Sequence, residues 1–254
     1  MADHILVSVQ DRVLSICMNR PEKKNALTGA MYIAMIDALR QADSDPAVRV
    51  ILITGTRDCF TAGNDLVDFA NARPGESSPA ILYLETLAAA QKPVVAAVSG
   101  VAVGIGTTML LHCDLVYAAS SARFQLPFVN LGLCPEAGSS MILPALMGRP
   151  RATELLFFGE PFDAETAHEL GIVNQVLDES ELLSKASGRA QQLAEKPPAA
   201  LRTAKALLKH GTTAAIADAM ARETHQFATL LQGPEAREAM AAFMLRRKPD
   251  FSKF

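Results

Sequence analysis

The sequence lacks the residue spacings of several common types of site. Its four cysteines form no C-x-x-C pair, which excludes the usual zinc and thioredoxin-like motifs and favours reduced, mostly buried thiols. Its five histidines include no pair spaced i, i+4, so no metal site is expected, and His112 and Asp114 are interpreted as a hydrogen-bonded structural pair. No Gly-x-Ser-x-Gly elbow or Walker loop occurs. Gly104 and Gly106 do not begin a dinucleotide fingerprint, because Met109 replaces its third glycine.

Strong charge and long apolar runs are absent as well. A net charge of -3 over 254 residues gives no electrostatic reason to expect binding to nucleic acid or to an anionic membrane. The longest apolar stretch, residues 94–111, is interrupted by glycine, serine and threonine, so it does not predict a membrane span. The first residues show no secretory signal, and the last three are not the peroxisomal tripeptide. We therefore expect a cytoplasmic protein.

Strand and helix patterns alternate through the first half of the chain. Residues 5–9 and 13–19 are β-branched and apolar on either side of a short polar turn, which predicts a hairpin. Thr28 precedes apolar residues at helical spacing and therefore predicts the start of a helix. Further apolar runs predict strands at residues 48–54, 94–98 and 115–119. This alternation predicts an α/β core whose sheet is largely parallel.

The second half of the chain is mainly helical. From Arg151 onward helix patterns dominate, and Asp163 is placed to cap one that Gly171 ends. Two adjacent prolines, Pro197 and Pro198, mark the clearest boundary, which divides residues 1–196 from 197–254. The apolar helix stripes of the second part need a partner surface, either the α/β core or a neighbouring subunit.

One acidic residue stands out for its local setting. Glu136 follows an extended segment at residues 124–129 and Pro135, which suits the first position of a helix. Catalytic side chains are often presented on such strand–loop–helix turns. Taken alone, this setting favours the alternative that Glu136 only complements the positive end of the helix dipole. Two glycine turns elsewhere in the chain favour the catalytic interpretation.

The two glycine turns precede predicted helices and resemble each other. Gly63 precedes Asn64, and Gly104 precedes Ile105. We expect the N–H groups of Asn64 and Ile105 to project from helix starts without intrahelical acceptors. Two such donors facing one oxygen would form an oxyanion hole, whereas the alternative is that these glycines only permit close helix–strand packing.

Four segments, taken together and in order, carry a family resemblance. Residues 19–27, 60–66, 100–114 and 163–173 resemble the signatures of the crotonase (enoyl-CoA hydratase/isomerase) superfamily. The resemblance implies a spiral of β-β-α units with a helical C-terminal region that assembles trimers or dimers of trimers. It places the acyl-CoA and active site in residues 1–196, and gives residues 197–254 a role in oligomerisation and as a lid over the CoA site.

The resemblance also implies roles for individual residues. The thioester oxygen of an acyl-CoA substrate would be held by the N–H groups of Asn64 and Ile105. CoA would enter as part of the substrate, so no separate cofactor is expected. Arg246 would reach the CoA of a neighbouring subunit. The other implied substrate and CoA contacts are Lys24, Ala26, Leu27, Ala62, Gly63, Asp65, Leu66, Gly104, Phe128, Leu131 and Pro135.

Departures from the hydratase pattern point to a different reaction. Hydratases of this family carry two glutamates that activate water, and this chain has Thr108 and Phe128 at the matching positions. Neither side chain can exchange protons as a carboxylate does. Residues 127–140 resemble instead the peroxisomal-type 3,2-trans-enoyl-CoA isomerases, whose acid matches Glu136. An apolar pocket is expected from Phe128, Leu131 and Leu133 and would make this carboxylate a stronger base.

The expected activity is therefore a 3,2-trans-enoyl-CoA isomerase of fatty acid β-oxidation that uses Glu136 as its one base. Two other interpretations stay open at this point. One is a different reaction of the same family, such as isomerisation of a ring or dienoyl-CoA substrate. The other is an acyl-CoA-binding protein without catalytic activity.

Overall fold

The structure, a computed structural model, describes residues 4–65, 68 and 78–254. Within these residues the strands are β1 (Ile5–Gln10), β2 (Val13–Met18), β3 (Val50–Thr54), β4 (Val94–Val98), β5 (Val101–Val103), β6 (Leu115–Ala119), β7 (Arg123–Gln125), β8 (Phe162–Asp163) and β9 (Gln175–Leu177). The α-helices are α1 (Gly29–Ser44), α2 (Pro79–Ala89), α3 (Ile105–Thr108), α4 (Ser139–Met147), α5 (Arg149–Phe158), α6 (Ala164–Glu169), α7 (Glu179–Ala194), α8 (Pro198–His210), α9 (Thr213–Leu231) and α10 (Pro234–Met244). Short 3-10 turns lie at Pro21–Lys23, Met109–His112 and Val129–Leu131.

The main sheet runs in the order β1-β2-β3-β4-β6-β9. Its first pair is the antiparallel hairpin that the sequence predicts, and the later pairs are parallel. Every residue of β3 and β4 is buried, because alternate side chains face two different helical layers. Ile51 and Ile53 pack in the cluster that includes α1 and α2, whereas Val50 and Leu52 pack with α7. The predicted burial of these strands on both faces is confirmed.

A smaller sheet carries the two glycine turns. Its order is β5-β7-β8, with β5 parallel to β7. Parallel bridges extend it from Ala102 to Thr61, and from Asn64 to Leu27. Segments far apart in the sequence therefore lie side by side at one edge of the fold, at residues 24–27, 61–65 and 101–104.

The C-terminal helices pack partly onto the α/β core. The buried ammonium of Lys205 in α8 donates to the Lys92 carbonyl at 2.8 Å and to Asp114 at 2.6 Å, and Met220 of α9 joins the main apolar cluster. Large apolar side chains stay exposed in this region at Leu207, Leu208, Phe243, Met244 and Leu245. The division at residue 197 and the assembly into a homotrimer or a dimer of trimers stay predictions. No helix in the described ranges is both long and apolar enough to cross a bilayer.

Candidate active site

The first glycine turn is held between two neighbouring segments. The N–H of Leu27 donates to Gly63 at 2.8 Å, and the N–H of Asp65 donates to Leu27 at 2.9 Å. Asn64 lies between these two bonds, so its own N–H points away from Leu27 and toward the β5 side. Gly63 has φ +89°, and a Cβ there would lie 2.7 Å from the Val103 carbonyl oxygen. Only glycine lets the two segments approach this closely.

The second glycine turn starts α3. Gly104 has φ +55° and ψ -118°, a backbone conformation that residues with a side chain rarely adopt. Space is not the constraint, because a Cβ at this position would have no atom within 4 Å. Its carbonyl accepts the N–H groups of Thr107 and Thr108. Ile105 is the first residue of α3, and no acceptor of its N–H occurs among the described residues, as expected for a helix start.

The segments that carry Asn64 and Ile105 run side by side. Thr61 and Ala102 are direct partners in a parallel bridge. Asn64 and Ile105 each lie three residues further along the chain. Because parallel neighbours advance together, both N–H groups arrive at the same edge. Asn64 lies in a parallel bridge with Leu27, and the expected helix start after it falls on residues 66 and 67, outside the described residues. Two main-chain N–H groups at one edge are the donor set that an oxyanion hole needs.

Glu136 lies in the loop that precedes α4. We predicted a helix starting at Pro135, and this is wrong, because α4 begins at Ser139. Ala137 and Gly138 have φ of +62° and +71°, so the chain passes through two left-handed residues before the helix. The hydroxyl of Thr108 donates to Oε1 of Glu136. Thr108 is the last residue of the helix that Ile105 begins, so the carboxylate reaches the edge where the two donors lie.

The surroundings of Glu136 give it the electrostatics of a general base. The side chain is partly buried. Burial raises the pKa of Glu136 to about 7, the Thr108 hydrogen bond lowers it, and the charge of Glu223 raises it. A carboxylate with a pKa near neutrality is a much stronger base than an exposed one and is still ionised in part at pH 7. Glu136 is thus suited to accept and return a proton.

Replacing Thr108 with Val is expected to remove the hydrogen bond that orients the Glu136 carboxylate. Loss of the hydroxyl removes the hydrogen bond that favours the ionised form, so the pKa of Glu136 should rise further. The acidic limb of the activity profile should then move to higher pH, and kcat above that limb should fall by roughly threefold to tenfold. Thr86→Val is the matched control, since its hydroxyl donates only to Leu82 within α2. An unchanged pH profile in Thr108→Val would contradict the assigned contact.

Tyr32 supports the first donor and was not predicted from the sequence. Its hydroxyl donates to Oδ1 of Asn64 at 2.6 Å, and its ring centre lies 5.6 Å from that of Tyr83. Burial, followed by the charge of Glu136, raises the pKa of Tyr32 well above its usual value, so the phenol stays protonated and donates. The available signal was a polar side chain on the apolar face of α1, beside Met31 and Met35.

His112 and Asp114 do not bind each other, so the predicted pair is wrong. The ring Nε2 of His112 lies 2.8 Å from the Ala137 carbonyl, next to Glu136. Burial lowers the pKa of His112 to about 4, so the ring is neutral and donates this bond. Asp114 instead accepts the N–H of Val94 at 2.7 Å and the ammonium of Lys205. Because the chain becomes extended at Cys113, the side chains of His112 and Asp114 contact different parts of the fold.

The predicted substrate contacts of the N-terminal half lie together. Ala62 donates to the Lys24 carbonyl at 2.9 Å. The guanidinium of Arg20 binds the Ala26 carbonyl at 2.9 Å and the Asp65 carboxylate at 2.7 Å. Asp65 therefore ties two loops together, while Lys24 is exposed at φ +48°. Leu66 lies outside the described residues.

The remaining predicted residues fall into two groups. Phe128 and Leu133 are buried on the segment that leads to Glu136, and Leu131 and Pro135 are partly buried there. Arg246 lies after the end of α10 and is exposed, with φ +52°, so its contact with a neighbouring subunit stays a prediction. In the part of the chain that the structure describes, no group of three His, Cys, Asp or Glu side chains is arranged to hold a metal ion.

The chain is similar to known proteins over most or all of its length. Residues 8–253 match the family described as enoyl-CoA hydratase/isomerase. The chain is 34% identical over 261 residues to the 1,2-epoxyphenylacetyl-CoA isomerase of Escherichia coli (strain K12), covering 99% of each protein. It is 39% identical over 212 residues to enoyl-CoA delta isomerase 2 of Rattus norvegicus, covering 81% of this chain and 54% of that protein. The crystal structure of an enoyl-CoA hydratase/isomerase from Pseudoalteromonas atlantica T6c is similar to it, with a TM-score of 0.94, 40% identity and coverage of 98% and 100%.

Proposed function

Because this chain belongs to the enoyl-CoA hydratase/isomerase family, we propose that it is a 3,2-trans-enoyl-CoA isomerase with Glu136 as its single base. The observation that carries the proposal is the hydrogen bond from Thr108, which places the Glu136 carboxylate beside the helix that Ile105 begins. The relationship to an enoyl-CoA delta isomerase supports the same reaction. The substrate is a 3-enoyl-CoA, and CoA is part of it rather than a separate cofactor.

The proposed reaction moves one proton and one double bond. Glu136 removes a proton from C2 of the 3-enoyl-CoA, and the resulting dienolate places negative charge on the thioester oxygen. The N–H groups of Asn64 and Ile105 stabilise that charge. Glu136, now protonated, returns the proton at C4, and the double bond shifts to C2–C3. Atoms and charge balance without water or any other reactant.

The residues around Glu136 favour proton transfer over addition of water. The side chains at the two hydratase acid positions are Thr108, which is fully buried, and Phe128, which is 5% exposed. Neither side chain can activate a water molecule for attack on a double bond. Burial raises the pKa of Glu136, which strengthens it as a base for proton transfer. We therefore expect isomerisation to exceed hydration.

A second candidate uses the same machinery on a different substrate. The E. coli relative named as a 1,2-epoxyphenylacetyl-CoA isomerase covers nearly the whole chain. Rearrangement of a ring-bearing CoA thioester would also need a carboxylate and two donors to the thioester oxygen. Faster turnover of a ring-bearing CoA ester than of linear 3-enoyl-CoA esters would favour this candidate.

The test is an absorbance assay with 3-hexenoyl-CoA, run beside crotonyl-CoA hydration and a panel of ring and dienoyl-CoA esters. Formation of conjugated 2-trans-hexenoyl-CoA with little crotonyl-CoA hydration supports the proposal. Preferred turnover of a ring or dienoyl ester supports the second candidate. Binding of acyl-CoA without turnover of any ester would reject both and leave a non-catalytic binder.

The pH dependence of the reaction should report the ionisation of Glu136. Only the ionised carboxylate accepts the C2 proton, and its pKa is raised to about 7. We therefore expect kcat/KM to fall about tenfold per pH unit below that value and to level off above it. Initial rates with 3-hexenoyl-CoA between pH 5 and pH 9 measure this, with melting temperatures recorded at each pH. A rate that stays constant down to pH 5 would contradict Glu136 as the base.

A further inference from the structure

The loop carrying Glu136 is held in an unusual backbone conformation. Ala137 and Gly138 are both left-handed, and for alanine this conformation is strained. Such strain persists only where surrounding contacts enforce it. One contact is the hydrogen bond from His112 to the Ala137 carbonyl. The other side of the loop is held from the C-terminal helices.

Glu223 of α9 provides that second support. Its side chain is 7% exposed, and its two carboxylate oxygens accept the N–H groups of Gly138 at 2.6 Å and Ser140 at 2.9 Å. These N–H groups lie at the start of α4, where a helix has no acceptors of its own. No ion pair of Glu223 occurs among the described residues. A buried carboxylate from a segment 83 residues further along therefore fixes the main chain just after Glu136.

We propose that Glu223 is a positioning residue, which holds the Glu136 carboxylate toward the N–H groups of Asn64 and Ile105 and places a second carboxylate near it. This inference rests on the proposed function for its catalytic meaning. Glu223 does not touch the reacting atoms. It acts through the loop and through its charge.

The charges around the two carboxylates support this role. Titratable groups from three other parts of the fold lie near these two carboxylates. They are Tyr32 of α1, His112 of the 3-10 turn and Cys134 of the loop. The pKa of the Cys134 thiol is raised by burial and then by Glu223 and Glu136, which places both carboxylates close to one thiol. Since a nearby like charge disfavours ionisation, Glu223 helps to make Glu136 a stronger base.

The test variant is Glu223→Gln, which keeps the shape but removes the charge and one of the two acceptors. We expect kcat for 3-hexenoyl-CoA to fall about 10-fold to 100-fold while KM changes less than about threefold. The acidic limb of the kcat/KM profile should move to lower pH, opposite to the shift expected for Thr108→Val. Asp163→Asn is the matched control, because the Asp163 carboxylate also accepts an N–H at a helix start, that of α6.

A purely structural role for Glu223 would give a different result. Glu223→Gln would then lower the melting temperature, as Asp163→Asn should, while the pH profile kept its midpoint and kcat was unchanged. That outcome would overturn the proposal. If Glu223→Gln folds too poorly to assay, Glu223→Asp keeps the charge. Its acidic limb should stay near that of the wild type while kcat falls, and a limb shifted to lower pH would also overturn the proposal.

A second measurement separates this inference from the proposed function. Melting temperatures of the wild type, Glu136→Gln, Glu223→Gln and the double variant are recorded from pH 4 to pH 9. The difference in melting temperature between the wild type and Glu136→Gln changes with pH as Glu136 ionises. It therefore reports the ionisation of Glu136 without any need for turnover. Its midpoint should move to lower pH in the Glu223→Gln background, even if no enoyl-CoA ester is a substrate. If the midpoint for Glu136 does not move in the Glu223→Gln background, the proposed effect of the Glu223 charge is rejected. If the midpoint moves but the protein has no isomerase activity, only the proposed function is rejected.

Discussion

Glu136→Gln is expected to lower kcat for 3-enoyl-CoA isomerisation by about 10³-fold or more, because an amide cannot accept the C2 proton. The amide oxygen can still accept the Thr108 hydrogen bond, so the loop should keep its conformation. KM for the acyl-CoA should change little. Steady-state kinetics with 3-hexenoyl-CoA and binding of a saturated acyl-CoA measure the two effects separately. Glu85→Gln, on an exposed position of α2, is the matched control.

The same substitution should raise stability above neutral pH. Burial raises the folded-state pKa of Glu136 from 4.5 to about 7, so the folded protein binds more protons than the unfolded chain between these values. Wild-type stability therefore decreases as pH rises through this range, and the ionised carboxylate costs up to about 3 kcal/mol above it. Glutamine carries no such cost. In equilibrium unfolding, the free energy of unfolding of Glu136→Gln should increase relative to that of the wild type as the pH rises from 5 to 8. If Glu136→Gln kept its isomerase activity, this would contradict the assignment of Glu136 as the base.

Gly63→Ala is expected to be the most damaging substitution at the donor edge. Its Cβ would lie 2.7 Å from the Val103 carbonyl oxygen, and φ of +89° is unfavourable for alanine. The segment would have to move away from β5 and take the N–H of Asn64 with it. Because loss of one such donor costs about 10²–10³ in kcat, we expect a decrease of that size together with a lower melting temperature.

A glycine in open surroundings provides the control for Gly63→Ala. Gly188 lies inside α7, and a Cβ there would meet nothing within 4 Å. Gly188→Ala should leave kcat unchanged and stabilise the protein by about 0.5–1 kcal/mol, since alanine favours the helix. If Gly63→Ala kept full activity, the main-chain N–H of Asn64 could not be a donor to the substrate.

Local sequence patterns predicted most of the elements. The hairpin and the buried strands follow from short runs of β-branched and apolar residues. The helix after Thr28 has the expected cap, since the Thr28 hydroxyl accepts the N–H of Met31. Asp163 likewise caps α6, with its carboxylate accepting the N–H of Thr166. In each case the information lies within a few residues of the element that it determines.

Features that depend on distant contacts were not predicted. The helix after Glu136 starts late because Glu223 and His112 hold Ala137 and Gly138 in a left-handed conformation, and no local pattern reveals either contact. His112 was assigned to a partner two residues away, whereas its acceptor is 25 residues along the chain. In the sequence, Tyr32 resembles any other core side chain of its helix. Its hydrogen bond to Asn64 becomes evident only in the folded structure. The candidate base and the two donors could be proposed from the sequence because each stands in a turn with its own local pattern, and because the family resemblance points to the same positions.

The donors of Asn64 and Ile105 belong to the peptide backbone rather than to side chains. Most point substitutions at these two positions would leave an N–H in place, provided that the adjoining glycines keep the turns open. In the proposed mechanism, binding of the thioester oxygen therefore depends on the path of the main chain and little on which side chains occur at positions 64 and 105. The reaction at the bound thioester depends instead on side chains such as Thr108, Phe128 and Glu136. Substitutions at these three positions should therefore change the chemistry while the thioester is still bound.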